Sequence, residues 1–337
     1  MKETILLGHG SGGKMMAELI RNHFVRIFDN SFLRMLGDSA NLTAGNSELA
    51  FTTDSYVVDP IFFPGGDIGK LAVCGTVNDI AVSGAEPLFL SASFILEEGF
   101  SIKSLDAIIQ SMKEEADKAG IKIVTGDTKV VNRGKCDKIF ITTSGIGVLQ
   151  QKYNHISGGR DINSGDGLII NGEIGDHSIA ILGAREGLEF EEVVISDCAS
   201  LNHMIRKLKE QNIRIKFMRD ITRGGLATIL SEVSQMSNLG VVAEEEKIPI
   251  REVVRGTCEI YGFDPLYLAN EGKVLILVDA DDVEKAIEVL RKDKYGKNAS
   301  IIGEVTDTNP GKAVLKSVIG GKRILDKLAG EQLPRIC

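Results

Sequence analysis

Residues 68–85 read IGKLAVCGTVNDIAVSGA, a largely apolar stretch with helical periodicity that is flanked by strand and helix patterns on both sides. The periodicity predicts a helix over residues 68–82. This helix is too apolar to be the ordinary solvated helix of a protein surface, yet it carries Asn78 and Asp79. Asp79 is therefore a candidate functional residue rather than a member of a solvated face.

Strand and helix patterns alternate on both sides of this helix, as is typical of an α/β protein. Short strands are predicted over residues 49–53, 121–125, 139–146, 167–171 and 273–278. Further helices are predicted over residues 14–28, 102–119, 201–211, 225–236 and 283–291. Ser101 is a good N-cap for the helix over 102–119, and Gly120 is a good C-terminal stop for it.

The chain is long enough for two domains, since a common domain has about 150 residues and this chain has 337. A polar, turn-rich stretch over residues 151–166 is the clearest boundary. We predict an N-terminal domain over 1–155 and a C-terminal α/β domain over 156–330. Residues 331–337 show no helix or strand pattern and are predicted to form a flexible tail.

Composition and charge argue against several classes of protein. The chain has 39 basic and 47 acidic residues, a net charge of −8 and no Trp, which is unlike a nucleic-acid surface. No apolar run approaches the roughly 18 residues of a membrane span, and no signal-peptide pattern is present. The five cysteines are scattered without a CxxC pair, so neither a disulfide framework nor a zinc site is predicted. We expect a soluble, reduced, cytoplasmic protein.

Five aspartates occur at the end of an apolar strand, in a Gly-rich turn or inside the apolar helix: Asp38, Asp54, Asp79, Asp127 and Asp220. Any one of them alone could be a turn residue or a helix N-cap. Carboxylates at the ends of buried strands repel one another unless a cation lies among them. Mg²⁺ held by a few carboxylates and by phosphate oxygens is a common arrangement at ATP sites. The shared placement therefore favours a cluster over five separate turns.

The N-terminal stretch over residues 7–15, LGHGSGGKM, is rich in glycine. Residues 8–14 match the spacing GxxxxGK, but Met15 stands where a P-loop has a Ser or Thr hydroxyl for Mg²⁺. The stretch is either a flexible segment whose backbone N–H groups close over phosphates or a plain N-terminal loop.

Two further side chains are candidates for catalysis. Lys129 could place an ammonium beside the proposed phosphates, or it could be a solvated lysine after a strand. Glu271 precedes the strand over 273–278, where a carboxylate at a buried edge could act as a base. The glycine-rich stretch over 172–177, GEIGDH, is interpreted as a structural turn.

Cys337 is the sharpest feature of the sequence. A thiol on the tail over 331–337 has no evident core to pack into, so the usual role of a cysteine as a small buried hydrophobe is disfavoured. A prenylation box would need its Cys fourth from the end. We interpret Cys337 as a thiol on a tether that can reach a site in its own chain or in a partner. An incidental exposed cysteine is the alternative.

Taken together, these motifs resemble the HypE family of hydrogenase maturation factors. The residues that carry the resemblance are 9–13 (HGSGG), 53–55 (TDS), 78–85 (NDIAVSGA), 125–131 (TGDTKVV), 219–227 (RDITRGGLA) and 334–337 (PRIC). The first five also resemble the wider superfamily of aminoimidazole ribonucleotide synthetase, formylglycinamidine synthetase and selenophosphate synthetase. The ending PRIC singles out the HypE family, and the resemblance spans essentially the whole chain.

The resemblance implies a fold, an activity and partners. The fold is a two-domain α/β (α+β) architecture like that of aminoimidazole ribonucleotide synthetase, with N-terminal strands forming a barrel across a homodimer. In such proteins the carbamoyltransferase HypF places a carbamoyl group on the terminal thiol, here Cys337. ATP is then spent to dehydrate the thiocarboxamide to a thiocyanate. The cyanide passes to iron on a scaffold of HypC and HypD, as a ligand of the NiFe-hydrogenase centre.

The resemblance also implies a role for each matching residue. Cys337 carries the substrate, and Lys129 stabilises the transferring phosphoryl group. Glu271 is the base, or it instead holds a metal or orients the tail. The ATP would lie under the Gly-rich segment, near the dimer interface, against Gly10, Gly12, Gly13, Thr53, Asn78, Gly126 and Thr128. Mg²⁺ would be held by Asp38, Asp54, Asp79, Asp127 and Asp220.

Two departures from the superfamily's pattern stand out. Ser39 follows Asp38 where relatives often have paired acids, which weakens the metal role of Asp38. The reactive Cys or Sec of selenophosphate synthetases is absent before Lys14, so Lys14 is not assigned a catalytic role.

Two other functions stay open at this stage. The chain could be a synthetase that phosphorylates a free small molecule, in which case Cys337 is dispensable for ATP turnover. It could instead be a non-catalytic carrier whose tail only shuttles a thiol-bound group, in which case Asp79 and Glu271 are dispensable for transfer.

Overall fold

The first half of the chain is a five-stranded sheet with helices on one face. The computed structural model describes residues 4–328, 332–333 and 335–337. The strands of this half are β1 (Ala40–Ala44), β2 (Ser47–Tyr56), the short pair β3 (Phe62–Phe63) and β4 (Gly66–Asp67), β5 (Glu86–Glu97), β6 (Lys122–Val131) and β7 (Ile139–Leu149). The five-stranded order is β1-β2-β7-β5-β6, and only β5 and β6 run parallel.

The helices of this half are α1 (Lys14–Leu19), α2 (Arg26–Phe28), α3 (Ser31–Arg34), α4 (Ile68–Val82) and α5 (Ile102–Ala119). A π-helical turn over Ile20–Val25 joins α1 to α2, so the helix predicted over 14–28 is present with a local change of winding. Helices α4 and α5 have the predicted bounds. Ser101 caps α5 by accepting the N–H of Ser104, and Gly120 ends it at φ +73°.

Helix α4 is buried because it is covered on all sides. It packs on β2, β7 and β5 of the sheet, on α5 beside it, and on elements of the second half. The helix begins where Asp67 Oδ1 accepts the N–H groups of Gly69 and Lys70, at 2.7 and 3.1 Å. The largely apolar character of residues 68–82, where Lys70, Thr76, Asn78 and Asp79 are the polar side chains, is thus explained by the position of α4 between the sheet and the second half.

The outer face of the first sheet is uncovered in the single chain. Alternation along the strands turns one set of residues toward α4 and the other toward this face. Phe51, Phe89 and Ile95 on the outer face are each more than two-fifths exposed. Strand β6 forms one edge of the sheet, and nearly all of its residues are exposed.

The second half is a seven-stranded mixed sheet with its own helices. Its strands are β8 (Gly167–Ile170), β9 (Ile215–Asp220), β10 (Gly240–Glu244), β11 (Val274–Val278), β12 (Ser300–Thr306), β13 (Ala313–Lys316) and β14 (Lys322–Leu325). Its helices are α6 (Asp176–Glu186), α7 (Asn202–Glu210), α8 (Gly225–Ser237), α9 (Glu252–Tyr261) and α10 (Val283–Arg291). The strand order is β14-β13-β10-β12-β8-β11-β9.

The two halves share buried side chains. Ala81 and Val82 at the end of α4 belong to the same apolar cluster as Ile156, Leu201 and Met204. The Asn78 side chain adds hydrogen bonds, since its Nδ2 donates to the Ala199 carbonyl at 3.0 Å and its Oδ1 accepts the Leu201 N–H at 2.8 Å. The predicted division at residue 155 stays a prediction.

The tail differs from its prediction in one respect. Glu331 and Pro334 lie outside the described residues, but Ile336 is 3% exposed and Cys337 is 7% exposed. Both belong to the core cluster around α4. The expectation that Cys337 has no core to pack into is therefore wrong, because a cleft between the two halves receives the last residues.

Among the residues that the structure describes, no helix is both long and apolar enough to span a membrane. No group of three His, Cys, Asp or Glu side chains in the described ranges is arranged to hold a metal ion.

The packing of α4 against β2 leads to a test with two glycines. A Cβ on Gly75 would lie 2.2 Å from the Tyr56 hydroxyl, and Tyr56 is itself buried. We expect Gly75→Ala to destabilise the protein by about 1–3 kcal/mol through overpacking. Gly256 in α9 has nothing within 4 Å of such a Cβ among the described residues. Gly256→Ala should therefore stabilise by about 0.5–1 kcal/mol. Thermal unfolding of both variants checks this, and equal melting temperatures would contradict it.

Candidate active site between the two halves

Four of the five predicted aspartates lie together where the halves meet. Asp54 is on β2, Asp79 on α4 and Asp220 at the end of β9, while Asp38 precedes β1. Thr52 links two of them, because its Oγ1 lies 2.8 Å from both Asp79 Oδ2 and the Asp38 carbonyl oxygen. Each acid sits on a different element, so the pairing of strands and the packing of α4 assemble the group.

Asp220 is buried, the other three carboxylates of this cluster are half-buried, and all four repel one another. Burial raises the pKa of Asp79 well above its usual value, and the charges of Asp220, Asp54 and Asp38 raise it further. Burial likewise raises the pKa of Asp220 well above its usual value, with Asp38 and Asp54 adding to the effect. The cluster therefore attracts positive charge.

Arg219 supplies part of that positive charge, on one side of the cluster only. Its Nε lies 3.1 Å from Asp38 Oδ1, and its Nη1 lies 2.6 Å from Glu232 Oε2. Asp38 therefore already has a cationic partner, which agrees with the weaker prediction that it is a metal ligand. Asp54, Asp79 and Asp220 make no such ion pair, but the described residues do not arrange three of these acids as a ready-made metal site.

The last residues of the chain enter the same junction beside β2. The Val57 N–H donates to the Cys337 carbonyl at 3.2 Å, and the Asp59 N–H donates to the Arg335 carbonyl at 3.3 Å. Arg335 returns a bond through Nε to the Val57 carbonyl at 3.1 Å and pairs with Asp137 at 2.5 Å. Backbone hydrogen bonds thus hold the tail in its own chain.

The Cys337 thiol faces two carboxylates and one guanidinium. Burial raises the pKa of the thiol far above its usual value, Glu271 and Asp54 raise it further, and Arg223 opposes them. The thiol is therefore protonated at neutral pH. In this state it is a poor nucleophile toward ATP.

Glu271 is the most isolated acid of the site. It is 3% exposed, and its Oε1 has no hydrogen-bond partner among the described residues. Burial raises the pKa of Glu271 well above its usual value, with Asp220, Asp54 and Asp197 adding repulsion and Arg223 opposing them. A buried carboxyl with a raised pKa and a free oxygen beside the thiol is suited to act as a general base.

The Gly-rich segment lies over Arg223. A Cβ on Gly12, at φ +77°, would be 2.6 Å from the Arg223 carbonyl oxygen, and one on Gly13 would be 2.4 Å from the Leu328 carbonyl oxygen. Gly10 has open space around it among the described residues. The cavity between Ser11, Arg223 and the tail is about 30 Å³, which is room for water rather than a nucleotide. ATP could enter beneath the segment only if the segment moved.

Asp127 is not part of the cluster of its own chain. The strand register aligns Asp54, Thr143, Ala92 and Gly126 in one row across four strands, a separation of about 14 Å. Asp127 is the next residue of β6, and it is exposed on the edge strand. Lys129 pairs with it at 2.8 Å, and both side chains are more than half exposed. The expected cluster of five thus has four members within one chain.

The other predicted ATP-binding residues are scattered. Thr53 is on the outer face, where its hydroxyl accepts from Ser144 Oγ at 2.9 Å. The Asn78 side chain forms the hydrogen bonds between the two halves that are described above. Gly126 is required by close packing, since a Cβ there would be 2.1 Å from the Ala92 carbonyl oxygen. Thr128 lies with Asp127 on β6.

Sequence reasoning did not single out four side chains of the site. Arg219 and Arg223 stand within the motif RDITRGGLA, where only the aspartate was considered. His177 and Arg185 contact the tail, and they belong to α6, which was not predicted. The stretch over 172–177 does contain a turn, and α6 begins within it, at Asp176.

Comparison with known proteins identifies relatives over the whole chain. Family models for AIR synthase related proteins match residues 37–149 as the N-terminal domain and 163–316 as the C-terminal domain. A protein of Rhodobacter capsulatus named carbamoyl dehydratase HypE is 47% identical, over 99% of this chain and 98% of its own. A solved structure of HypE in complex with ATP matches with a TM-score of 0.83 and 48% identity, covering 99% of this chain and 100% of that one. A HypE–HypF complex matches with a TM-score of 0.86 and 50% identity, covering 92% and 99%.

The repulsion within the cluster gives a prediction for Asp220→Asn. Because the pKa of Asp220 is higher in the folded chain than in the unfolded one, its stabilising contribution is present at low pH and lost as the pH rises through the folded value. At pH 8 the ionised form of this group is therefore less favourable in the folded chain than in the unfolded one, which lowers the free energy of unfolding. We expect Asp220→Asn to raise the melting temperature at pH 8, by about 2–4 °C for each kcal/mol of repulsion removed, with a smaller gain at pH 5.

Asp127→Asn is the matched control for that measurement. Lys129 lowers the pKa of Asp127, and the side chain is exposed, so this variant should not gain stability at pH 8. A lower melting temperature for Asp220→Asn than for the parent at pH 8 would show that the cluster is not repulsive.

Proposed function

The chain belongs to the HypE family of AIR synthase related proteins, and from this we propose that it is an ATP-dependent carbamoyl dehydratase of NiFe-hydrogenase maturation. It acts on its own C-terminus and converts S-carbamoylated Cys337 to the thiocyanate that supplies cyanide to the active-site iron. The observation that carries the proposal is the placement of the Cys337 thiol beside Glu271 and Arg223, in a closed junction next to a carboxylate cluster.

Partners and co-substrate follow the relatives. Solved relatives are in complex with ATP and with HypF. This chain accordingly uses ATP, receives its carbamoyl group from HypF and delivers cyanide to a HypC–HypD scaffold. The cytoplasm is the compartment we assign, in keeping with five cysteines that are all free.

The chemistry requires an activated oxygen. An amide oxygen leaves poorly, so it takes the γ-phosphoryl group of ATP, ADP departs, and the nitrogen loses one proton. Phosphate then leaves from the same carbon, the nitrogen loses its second proton, and the carbon–nitrogen triple bond forms. Glu271 is placed to accept these protons, and Arg223 is placed to stabilise the negative charge that develops nearby. The sulfur of Cys337 stays bound to the same carbon throughout.

Mg²⁺ fits the cluster as a partner of ATP rather than as a resident metal. Mg²⁺ in such sites is held by one or two carboxylates together with phosphates and water. Asp54, Asp79 and Asp220 are the acids from which those one or two carboxylates would come, since their mutual repulsion is relieved by a cation. When bound it would neutralise charge on the transferred phosphoryl group.

We propose that Asp127 and Lys129 serve the site of a second subunit. They lie on the exposed edge strand, about 14 Å along the sheet from Asp54, and so do not reach the cluster of their own chain. The exposed apolar residues of the outer face, Phe51, Phe89 and Ile95, are suited to burial in a homodimer. Across that interface Lys129 would meet the phosphates and Asp127 the Mg²⁺.

Intact mass after incubation with HypF, carbamoyl phosphate and ATP tests the activity. The parent chain should gain one carbamoyl group and then lose one water. Cys337→Ser should gain nothing, and Glu271→Gln should be carbamoylated but lose water about 10²–10⁴-fold more slowly. Glu288→Gln, on the exposed face of α10, is the control and should behave as the parent does.

Two results would favour the other functions. Carbamoylation of the parent without any loss of water would point to a carrier. Undiminished ATP turnover by Cys337→Ser would point to a synthetase acting on a free small molecule.

Mixing two inactive variants tests the shared site. Asp127→Asn and Cys337→Ser should each fail to dehydrate alone. In a mixed dimer, one site combines an intact tail with an intact Asp127 from the other subunit, so dehydration should return. No recovery after subunit exchange, verified by native mass spectrometry, would place Asp127 at its own chain's site. Dehydration by Asp127→Asn alone would place Asp127 outside catalysis.

A further inference from the structure

The docked tail is held by two side chains of α6 that have no part in the chemistry described above. His177 Nε2 lies 2.8 Å from the Ile336 carbonyl oxygen, and Arg185 Nη2 lies 2.9 Å from the Arg335 carbonyl oxygen. The opposite side of the tail is bonded to Val57 and Asp59 of the first half. The tail is thus clamped between the two halves of the chain.

His177 is fixed as a donor toward the tail. The Ser196 hydroxyl accepts the Cys198 N–H at 3.1 Å, so its own proton is free for His177 Nδ1 at 2.7 Å. A carbonyl oxygen can only accept, so the ring proton is on Nε2 and is directed at Ile336. The ring is buried and packs edge-on against Phe63, with centroids 5.7 Å apart. Both ring nitrogens are therefore hydrogen-bonded while the tail is docked.

Arg185 connects the tail to the strand that receives it. Its Nε and Nη2 donate to the Asp59 carbonyl at 3.0 and 2.6 Å, and the same Nη2 donates to Arg335. Asp59 in turn donates its N–H to the Arg335 carbonyl. The Arg185 guanidinium therefore bonds both the segment that receives the tail, at Asp59, and the tail itself, at Arg335. His177 bonds the tail at Ile336, the residue before Cys337.

We propose that His177 is a positioning residue, a latch that holds the tail docked with Cys337 at Glu271 and whose release presents the thiol to partners. Its contribution to catalysis rests on the proposed dehydratase function, but its hold on the tail does not. Two reactions of the same thiol then respond in opposite directions. Modification from outside needs the released tail, whereas dehydration needs the docked one.

The rate of alkylation of Cys337 by iodoacetamide in the full chain tests the latch. Cys337 is 7% exposed when docked, so we expect its thiol to react mainly from the released state and the alkylation rate to follow the released population. We expect His177→Leu to raise this rate roughly 10-fold, the effect of one buried hydrogen bond. His177→Gln, whose amide N–H can replace the donor, should restore most of the protection. Peptide mass spectrometry assigns the site.

His203→Leu is the matched control. His203 Nε2 bonds a backbone carbonyl, that of Lys118, at the same 2.8 Å, but it lies away from the tail. Its substitution should leave Cys337 alkylation unchanged. Equal alkylation rates for folded His177→Leu and the parent would overturn the proposal, as would an equal increase in His203→Leu.

A second variant covers the case in which His177→Leu does not fold. Ser196→Ala removes the hydrogen bond that keeps Nδ1 free of a proton, and it should raise alkylation about 2–3-fold, with no change overturning the proposal. Single-turnover assays add a separate readout. In His177→Leu, carbamoylation by HypF should be undiminished while dehydration slows. If the parent never loses water but alkylation responds as stated, the dehydratase assignment fails and the latch stands.

Discussion

Carboxylates that are buried or half-buried repel one another at the junction of the two halves, and the surrounding structure must hold them together against this repulsion. Asp54, Asp79, Asp220 and Glu271 are brought together by a strand, a helix, a second strand and a loop from both halves. Burying such charges without partners is costly, and the packing of the apolar helix α4 offsets that cost. A fold that maintains this arrangement is suited to take up a cation, since positive charge relieves the repulsion among these carboxylates, and phosphate groups can bind only together with such a cation.

The tail uses the same junction in a complementary way. Its placement rests on backbone hydrogen bonds, on the bonds of Arg335, on the burial of Ile336 and Cys337, and on two side chains of α6. The surroundings keep Cys337 protonated, which suits a sulfur that carries a substrate and does not attack. Both halves of the chain contact the tail, so the docked tail requires the two halves to be closed against each other at the junction.

Local patterns were sufficient for elements whose neighbours are near in the chain. The bounds of α4, α5 and α10 follow from 3.6-residue periodicity, and those of α5 follow also from its capping residues Ser101 and Gly120. Asp127 shows where such reasoning stops, because it shares its local context with Asp54 but lies on a different strand. Only the order and pairing of strands, which are contacts between distant residues, separate them. The burial of Cys337 was missed for the same reason, since its cleft is built by residues 57–59, 177 and 185.

The pairing of the tail with residues 57–59 makes its length as important as its composition. Side chains alternate between the two sides of an extended strand, so a shift by one residue turns every side chain to the opposite side. The bonds from Val57 to Cys337 and from Asp59 to Arg335 fix such a frame. One residue inserted before Arg335 would carry the thiol out of register with Glu271 or force the inserted residue to bulge. The position of the thiol in the site therefore depends on the length of the tail to within a single residue.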